Sequence, residues 1–236
     1  MIRRYMSILG NALIGMSSFI PFHADAAGAV VYPGDTLYVY HAAGTSDYDT
    51  SVCTAGPMLK LSNGSAAILT AGHCGNDGDH VSWVSSSGQE IPIGYMQGSI
   101  NRSIGQIWHD YAVIPIDPGN IRIDIGHKTA PTGLITADHL RSYAQDRNAV
   151  TLCSFGAETG SRCGGLHSVN TYTLRMLAGL PSDHGDSGGP VYMKTSDGEV
   201  DIVGTLRGYD DSPDKWAVTI PIELPLAAYN ATLYVK

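Results

Sequence analysis

Apolar residues in this sequence arrive in short runs, each cut off by a turn signal before it could complete three turns of helix. The runs occupy residues 57–61, 66–70, 81–84, 90–96, 111–116, 149–152, 172–177, 191–193, 200–206 and 216–222. Segments of that length, rich in β-branched and aromatic residues, read as strands. Ser62-Asn63-Gly64-Ser65 separates the first two, and Asn-Gly is a hairpin signal because both residues tolerate positive φ. One short helix is expected over residues 137–143. With 28 glycines in 236 residues to supply tight turns, the pattern predicts an all-β chain of the barrel kind. No internal repeat is visible.

Residues 1–26 read as a signal peptide: Arg3 and Arg4, an apolar stretch over residues 6–22, and the small-residue site Ala24-Asp25-Ala26. Asn11, Ser17 and Ser18 interrupt the apolar stretch, which falls short of the ~20 residues a membrane span needs. The mature chain is therefore expected to be secreted, with no membrane partner after cleavage. Removing the leader leaves 12 basic against 21 acidic residues, a net charge of −9 in place of −8. An acidic surface without basic clusters argues against nucleic acid as a partner. Four cysteines in a secreted chain imply two disulfides with three open connectivities. No Cys-x-x-Cys pair and no His-Glu-x-x-His helix is present, so neither metal nor cofactor is expected.

Gly185-Asp186-Ser187-Gly188-Gly189-Pro190 carries the chemistry. Glycines around Ser187 let the backbone turn sharply and aim amide hydrogens at one spot beside the hydroxyl, where an oxyanion could be held. A serine is a poor nucleophile near neutral pH and needs a histidine to take its proton and a third group to orient that histidine. Upstream, Leu69-Thr70-Ala71-Gly72-His73-Cys74 ends an apolar run in His73, and His109-Asp110-Tyr111-Ala112-Val113-Ile114 opens another with Asp110. A phosphate-binding loop would need a lysine and a following helix, which this segment lacks.

These three segments, in the order His, Asp, Ser, resemble the catalytic motifs of the trypsin- and chymotrypsin-like serine proteases. A fourth, Cys153-Ser154-Phe155-Gly156-Ala157-Glu158-Thr159-Gly160-Ser161-Arg162-Cys163-Gly164, is similar to the cysteine-bracketed Thr-Gly loop of the secreted bacterial streptogrisin and α-lytic-type branch. The resemblance runs from about Cys53 to the C-terminus. It implies two six-stranded antiparallel β-barrels packed side by side, here residues 27–125 and 126–236, with disulfides Cys53 to Cys74 and Cys153 to Cys163. It assigns catalysis to His73, Asp110 and Ser187, and the oxyanion hole to the amides of Gly185 and Ser187. The substrate would be an extended peptide or protein added to a strand edge, and a monomer is expected.

The sequence departs from that family at several points. The residue six before the serine is Pro181, so the acidic pocket floor that selects Lys or Arg is missing. Pro181, Ser182, His184, Leu206, Arg207 and Gly208 are the expected pocket residues, favouring a neutral or small side chain before the scissile bond, or an acidic one if His184 and Arg207 line the rim. Leu206 stands where relatives often carry a serine behind the catalytic aspartate. Only residues 27–52 are left for a pro-segment. Bacterial relatives supply an arginine after the first cysteine of the Thr-Gly loop to pair with the carboxylate before the nucleophile, but here that position is Ser154. Arg162, or an α-amino group near Ala27, is the expected replacement partner of Asp186.

Three functions compete on this reading: a secreted serine endopeptidase, an inactive binding or regulatory protein on the same fold, and an esterase using the same acyl transfer. The intact triad favours an enzyme. Asn76-Asp77-Gly78-Asp79 and Asp210-Asp211-Ser212-Pro213-Asp214 offer oxygens for calcium, but solvated turns of this composition are much commoner. Asn63-Gly64-Ser65, Asn101-Arg102-Ser103 and Asn230-Ala231-Thr232 match the glycosylation sequon, which means little in the bacterial source that the resemblance implies.

Overall fold

The structure is a computed structural model and describes residues 29–42, 49–146 and 150–236. The leader read over residues 1–26 and the amino group near Ala27 lie outside them.

In the first half, β1 (Thr36–Tyr40), β2 (Thr50–Thr54), β5 (His80–Val84) and β6 (Glu90–Tyr95) form one sheet in the order β2-β1-β5-β6. A second sheet holds β3 (Met58–Lys60), β4 (Ala66–Thr70), β7 (Gln97–Ile104) and β8 (Ile107–Ile116) in the order β3-β4-β8-β7. In the second half, β10 (Thr151–Gly156), β11 (Gly160–Asn170), β12 (Arg175–Ala178), β13 (Pro190–Lys194), β14 (Val200–Tyr209) and β15 (Ala217–Pro221) run in the order β13-β10-β11-β12-β15-β14. Pairing of β13 with β14 closes these six into a barrel, and β9 (Gly133–Leu134) adds to β14 in parallel. Two helices, α1 (Ala137–Asp146) and α2 (Glu223–Tyr229), flank the barrel, and the last strand, β16 (Thr232–Leu233), returns to pair with β3. The architecture is all-β, as the spacing of apolar runs predicts.

The core explains why some strands are apolar without a break. Every residue of β4 is buried. Ala66 and Ile68 face the interior of the first half, while Ala67 and Leu69 face a cluster that includes Cys153, Tyr192, Ile202 and Ile220 from the second half. Strand β8 divides the same way, with Ala112 and Ile114 inward and Tyr111 and Val113 toward the second half. A strand with both faces covered loses the polar alternation of a half-exposed one. The barrel interior is filled by a third cluster including Leu140, Leu152, Met176 and Val203. Each such side chain, fully buried, contributes about 1.5–3 kcal/mol.

Two expectations shift. The run over residues 172–177 opens as a turn, with Leu174 at φ 51°, so strand β12 begins only at Arg175. Strands β1, β7 and β11 lie outside the expected runs: polar or glycine residues break the patterns of β7 and β11, whereas β1, Thr36-Leu37-Tyr38-Val39-Tyr40, is a half-buried alternating strand that those runs did not include.

Candidate active site

The pairing of β4 with β8 sets Thr70 opposite Ala112. Continuing that register carries the chain after β4 past Asp110, where the turn Gly72–Cys74 presents His73. Gly72 has no side chain because a Cβ there would overlap the Ile100 carbonyl oxygen. The Cys53–Cys74 disulfide ties this turn to the end of β2. Asp110 is fully buried. Its Oδ1 accepts from the His73 backbone amide at 2.9 Å and its Oδ2 lies 2.8 Å from His73 Nδ1. A carboxylate can only accept, so Nδ1 carries the hydrogen and Nε2 is left as an acceptor. Ser187 Oγ stands 2.9 Å from that Nε2. The three residues singled out in the sequence thus meet in one hydrogen-bonded line.

The serine loop is held from both halves of the chain. Thr54 N donates to Ser187 O at 2.8 Å, and Thr54 Oγ1 donates to Gly185 O at 2.7 Å while accepting from Ala157 N at 2.9 Å. Gly189 N donates to Asp186 O at 3.0 Å, and in a planar trans peptide that points the Ser187 N–H the opposite way. Gly185 takes φ +104°, and a Cβ on it would lie 2.6 Å from Glu158 Cγ. The amides expected to form an oxyanion hole therefore belong to peptides with little freedom to turn.

Asp186 is fully buried, and among the described residues Arg162 makes no ion pair with it; the amino group near Ala27 lies outside them. Its Oδ1 accepts from Glu158 N at 2.9 Å and Thr159 N at 3.0 Å; its Oδ2 accepts from Thr159 Oγ1 and Asp183 N, both at 2.8 Å. Arg162 is exposed, with Nη1 on the Ser161 carbonyl. In place of the expected Arg162, the described partners of Asp186 are four neutral donors.

The expected pocket residues scatter. Leu206 is 2 % exposed and packs in the barrel core. A bulge between Leu206 and Gly208 turns Arg207 toward Asp110, with Nε 3.3 Å from Oδ2 and the guanidinium 4.6 Å above the Trp108 ring. Arg207 is thus engaged by Asp110 and Trp108 while its side chain stays one-third exposed. Pro181 is exposed, and Ser182 is fastened through its backbone: its N–H donates to Tyr209 Oη at 2.7 Å, and that hydroxyl donates to Ser182 O at 2.6 Å. His184 is exposed and, with Glu158, Ser51 and the Cys53–Cys74 disulfide, lines a cleft of about 870 Å³ beside Ser187. Both disulfides pair as the resemblance implies, and Cys153 and Cys163 face each other across the β10–β11 ladder.

The two acidic turns are engaged internally. Asp79 accepts from Asn76 N, Ala42 N and His41 Nδ1, and Asp210 from Ser212 and Trp216, with Arg175 at 3.4 Å. Cys53, His73 and Cys74 crowd together, but their sulfurs are bonded to each other and offer no thiolate to a metal. Sequence reasoning missed Thr54, Glu158 and Thr159 as holders of the loop. It also missed His41, which bridges Asp79 and Ser51 at the cleft wall with distances of 2.8 and 2.7 Å. Only Thr159 had a signal, its place in the Thr-Gly loop.

No family model matches the sequence. An uncharacterized protein of Mycobacterium tuberculosis, in strains CDC 1551 and H37Rv, is 29% identical over 201 residues, covering 81% of this chain and 79% of the relative. Among solved structures, Thermobifida fusca Protease A superposes with TM-score 0.61 at 21% identity, over 88% of this chain and 100% of its own. Cellulomonas bogoriensis chymotrypsin gives 0.57 at 19%, over 87% and 99%. A glutamic acid specific serine protease, described as using a histidine triad in substrate binding, gives 0.58 at 20%, over 86% and 100%. Sharing their architecture across nearly the whole described chain, this protein has the fold of the bacterial chymotrypsin-like serine proteases.

Proposed function

We propose that the chain is a secreted serine endopeptidase that cleaves peptide bonds through an acyl-enzyme. The observation that carries this reading is the line Asp110, His73, Ser187, with its two side-chain hydrogen bonds of 2.8 and 2.9 Å. Ser187 Oγ attacks the substrate carbonyl carbon as its proton passes to His73 Nε2. The carbonyl oxygen, now carrying the negative charge, faces the amides of Gly185 and Ser187. Asp110, buried and bonded to Nδ1, stabilises the imidazolium that forms. His73 then gives its proton to the leaving amine, the carbon–nitrogen bond breaks, and the acyl group stays on Ser187. Water repeats the sequence in the same site, with His73 as base, and releases the acid.

Secretion is supported by the leader-like residues 1–26 and by two disulfides, which persist in oxidising compartments. No described helix is long and apolar enough to cross a membrane. A neutral or small side chain before the scissile bond is supported by the uncharged Pro181 and by Arg207 being paired with Asp110. The test is a fluorophosphonate probe applied together with a peptide library. Ser187 should be labelled, His73→Ala should prevent labelling, and cleavage should follow neutral residues. Equal labelling of wild type and His73→Ala would sink the triad. Turnover of activated esters with no peptide cut would restrict the reading to an esterase, and a profile dominated by Lys or Arg would contradict the pocket assignment.

A further inference from the structure

The Asp186 carboxylate offers about four lone-pair sites, and the four donors described above fill them. Nothing is left on it for a guanidinium or an ammonium. Two of the four bonds come from one residue, since Thr159 donates its amide to Oδ1 at 3.0 Å and its hydroxyl to Oδ2 at 2.8 Å. Thr159 sits at the tip of the β10–β11 hairpin, whose strands the Cys153–Cys163 disulfide staples together. The neighbouring tip residues grip the same loop: Glu158 N donates to Asp186, and Ala157 N is joined through Thr54 Oγ1 to Gly185 O. A stapled hairpin thus holds both sides of the peptide groups next to Ser187.

Resting on the endopeptidase reading, we propose that Thr159 is the positioning residue of the oxyanion loop. With neutral donors it fixes Asp186, and through Asp186 it fixes the direction of the Gly185 and Ser187 amides. The loop needs neither Arg162 nor a freshly cut amino terminus to take its working shape. Thr159 touches no substrate; it acts by keeping two amides aimed where negative charge develops, an effect felt in the transition state and not in substrate binding.

The experiment compares wild type, Thr159→Val, Thr159→Ser, Arg162→Gln and a form extended at its amino terminus. Each is followed by peptide hydrolysis, by the rate of fluorophosphonate labelling and by amide hydrogen exchange of the 183–187 segment. Thr159→Val should lower kcat and the labelling rate about tenfold to a hundredfold, with KM within about threefold, and should speed exchange in that segment about tenfold or more. Thr159→Ser, which keeps the hydroxyl, should restore most of all three. Arg162→Gln and the extended form should match wild type. Unchanged exchange in Thr159→Val, a fall in activity through KM alone, or an extended form active only after trimming would each overturn the proposal. The exchange measurement keeps the two readings apart: if wild type is not labelled at all, the endopeptidase reading fails, while exchange still decides whether Thr159 holds the loop.

Discussion

Arg207 Nε lies 3.3 Å from Asp110 Oδ2, the same oxygen that meets His73 Nδ1 at 2.8 Å. Asp110 has no exposed surface, and a carboxylate removed from water needs compensation for the hydration it has lost. His73 supplies two hydrogen bonds, and Arg207 supplies a charge. The Arg207 side chain stays one-third exposed and lies over Trp108, while its Nε is buried and makes no hydrogen bond, so its contribution is the charge alone.

Replacing Arg207 with methionine keeps an apolar stem against Trp108 and removes only the charge. Thermal unfolding should show a loss of about 1–2 kcal/mol, which for a chain of this size lowers Tm by about 2–8 °C. An unchanged Tm would mean that His73 alone compensates Asp110.

Asp79 gives the protein a predictable acid limb. Burial favours its neutral form, but the amides of Asn76 and Ala42 and the His41 ring together outweigh burial and hold its carboxyl below the ordinary value of 3.8. The folded state therefore binds this proton less readily than the unfolded chain does. The stabilisation is complete above the unfolded value of about 3.9 and is lost as the pH falls through the lower folded value. Wild type should be more stable than Asp79→Asn at pH 6, and the gap should close below about pH 4. A gap that persists undiminished at low pH would show that Asp79 stabilises by packing alone.

The parts of the site legible in the sequence are those whose neighbours demand a particular residue type. Gly72 cannot carry a Cβ against Ile100, Cys74 must reach Cys53, and Gly185 turns through a positive φ against Glu158. Those requirements leave glycines and cysteines around His73 and Ser187, and that trace is what the resemblance reads. The supports of Asp186 leave little trace, because three of its four donors are backbone amides that any residue but proline supplies. The approach of Arg207 to Asp110 left no trace for another reason. A bulge adds one residue to β14 just there and re-aims the side chain, and no residue type in Leu206-Arg207-Gly208 announces it. Strand β11 went unread because Gly164, Gly165 and its polar positions give no apolar run. It is an exposed ribbon set by pairing and by the Cys153–Cys163 bond.

That bond closes a loop of separation 10, for which the chain-entropy model gives about 3 kcal/mol. Cys153→Ala with Cys163→Ala should lose about that much stability in denaturant titration and should lower kcat as well, since the hairpin tip that carries Glu158 and Thr159 is no longer stapled. Full activity in a destabilised double variant would separate the staple from the site.

Gly156 and Gly160 face each other across the mouth of that hairpin and should respond to alanine in opposite ways. At Gly160 the backbone has φ +65° with nothing within 4 Å of an added Cβ, so the methyl group finds room but the conformation resists it. Gly160→Ala should cost about 1–2 kcal/mol of stability and leave kcat as it was. At Gly156 the backbone is not left-handed, but an added Cβ would overlap the Asp186 carboxylate and its Cγ. The methyl group can be accommodated only by pushing Asp186 off its donors at Glu158 and Thr159, which swings the peptide groups beside Ser187. Gly156→Ala should therefore lose fluorophosphonate labelling by about a hundredfold or more, while circular dichroism still reports the folded barrel. Labelling at the wild-type rate in folded Gly156→Ala would mean that the loop keeps its shape without the Asp186 bonds.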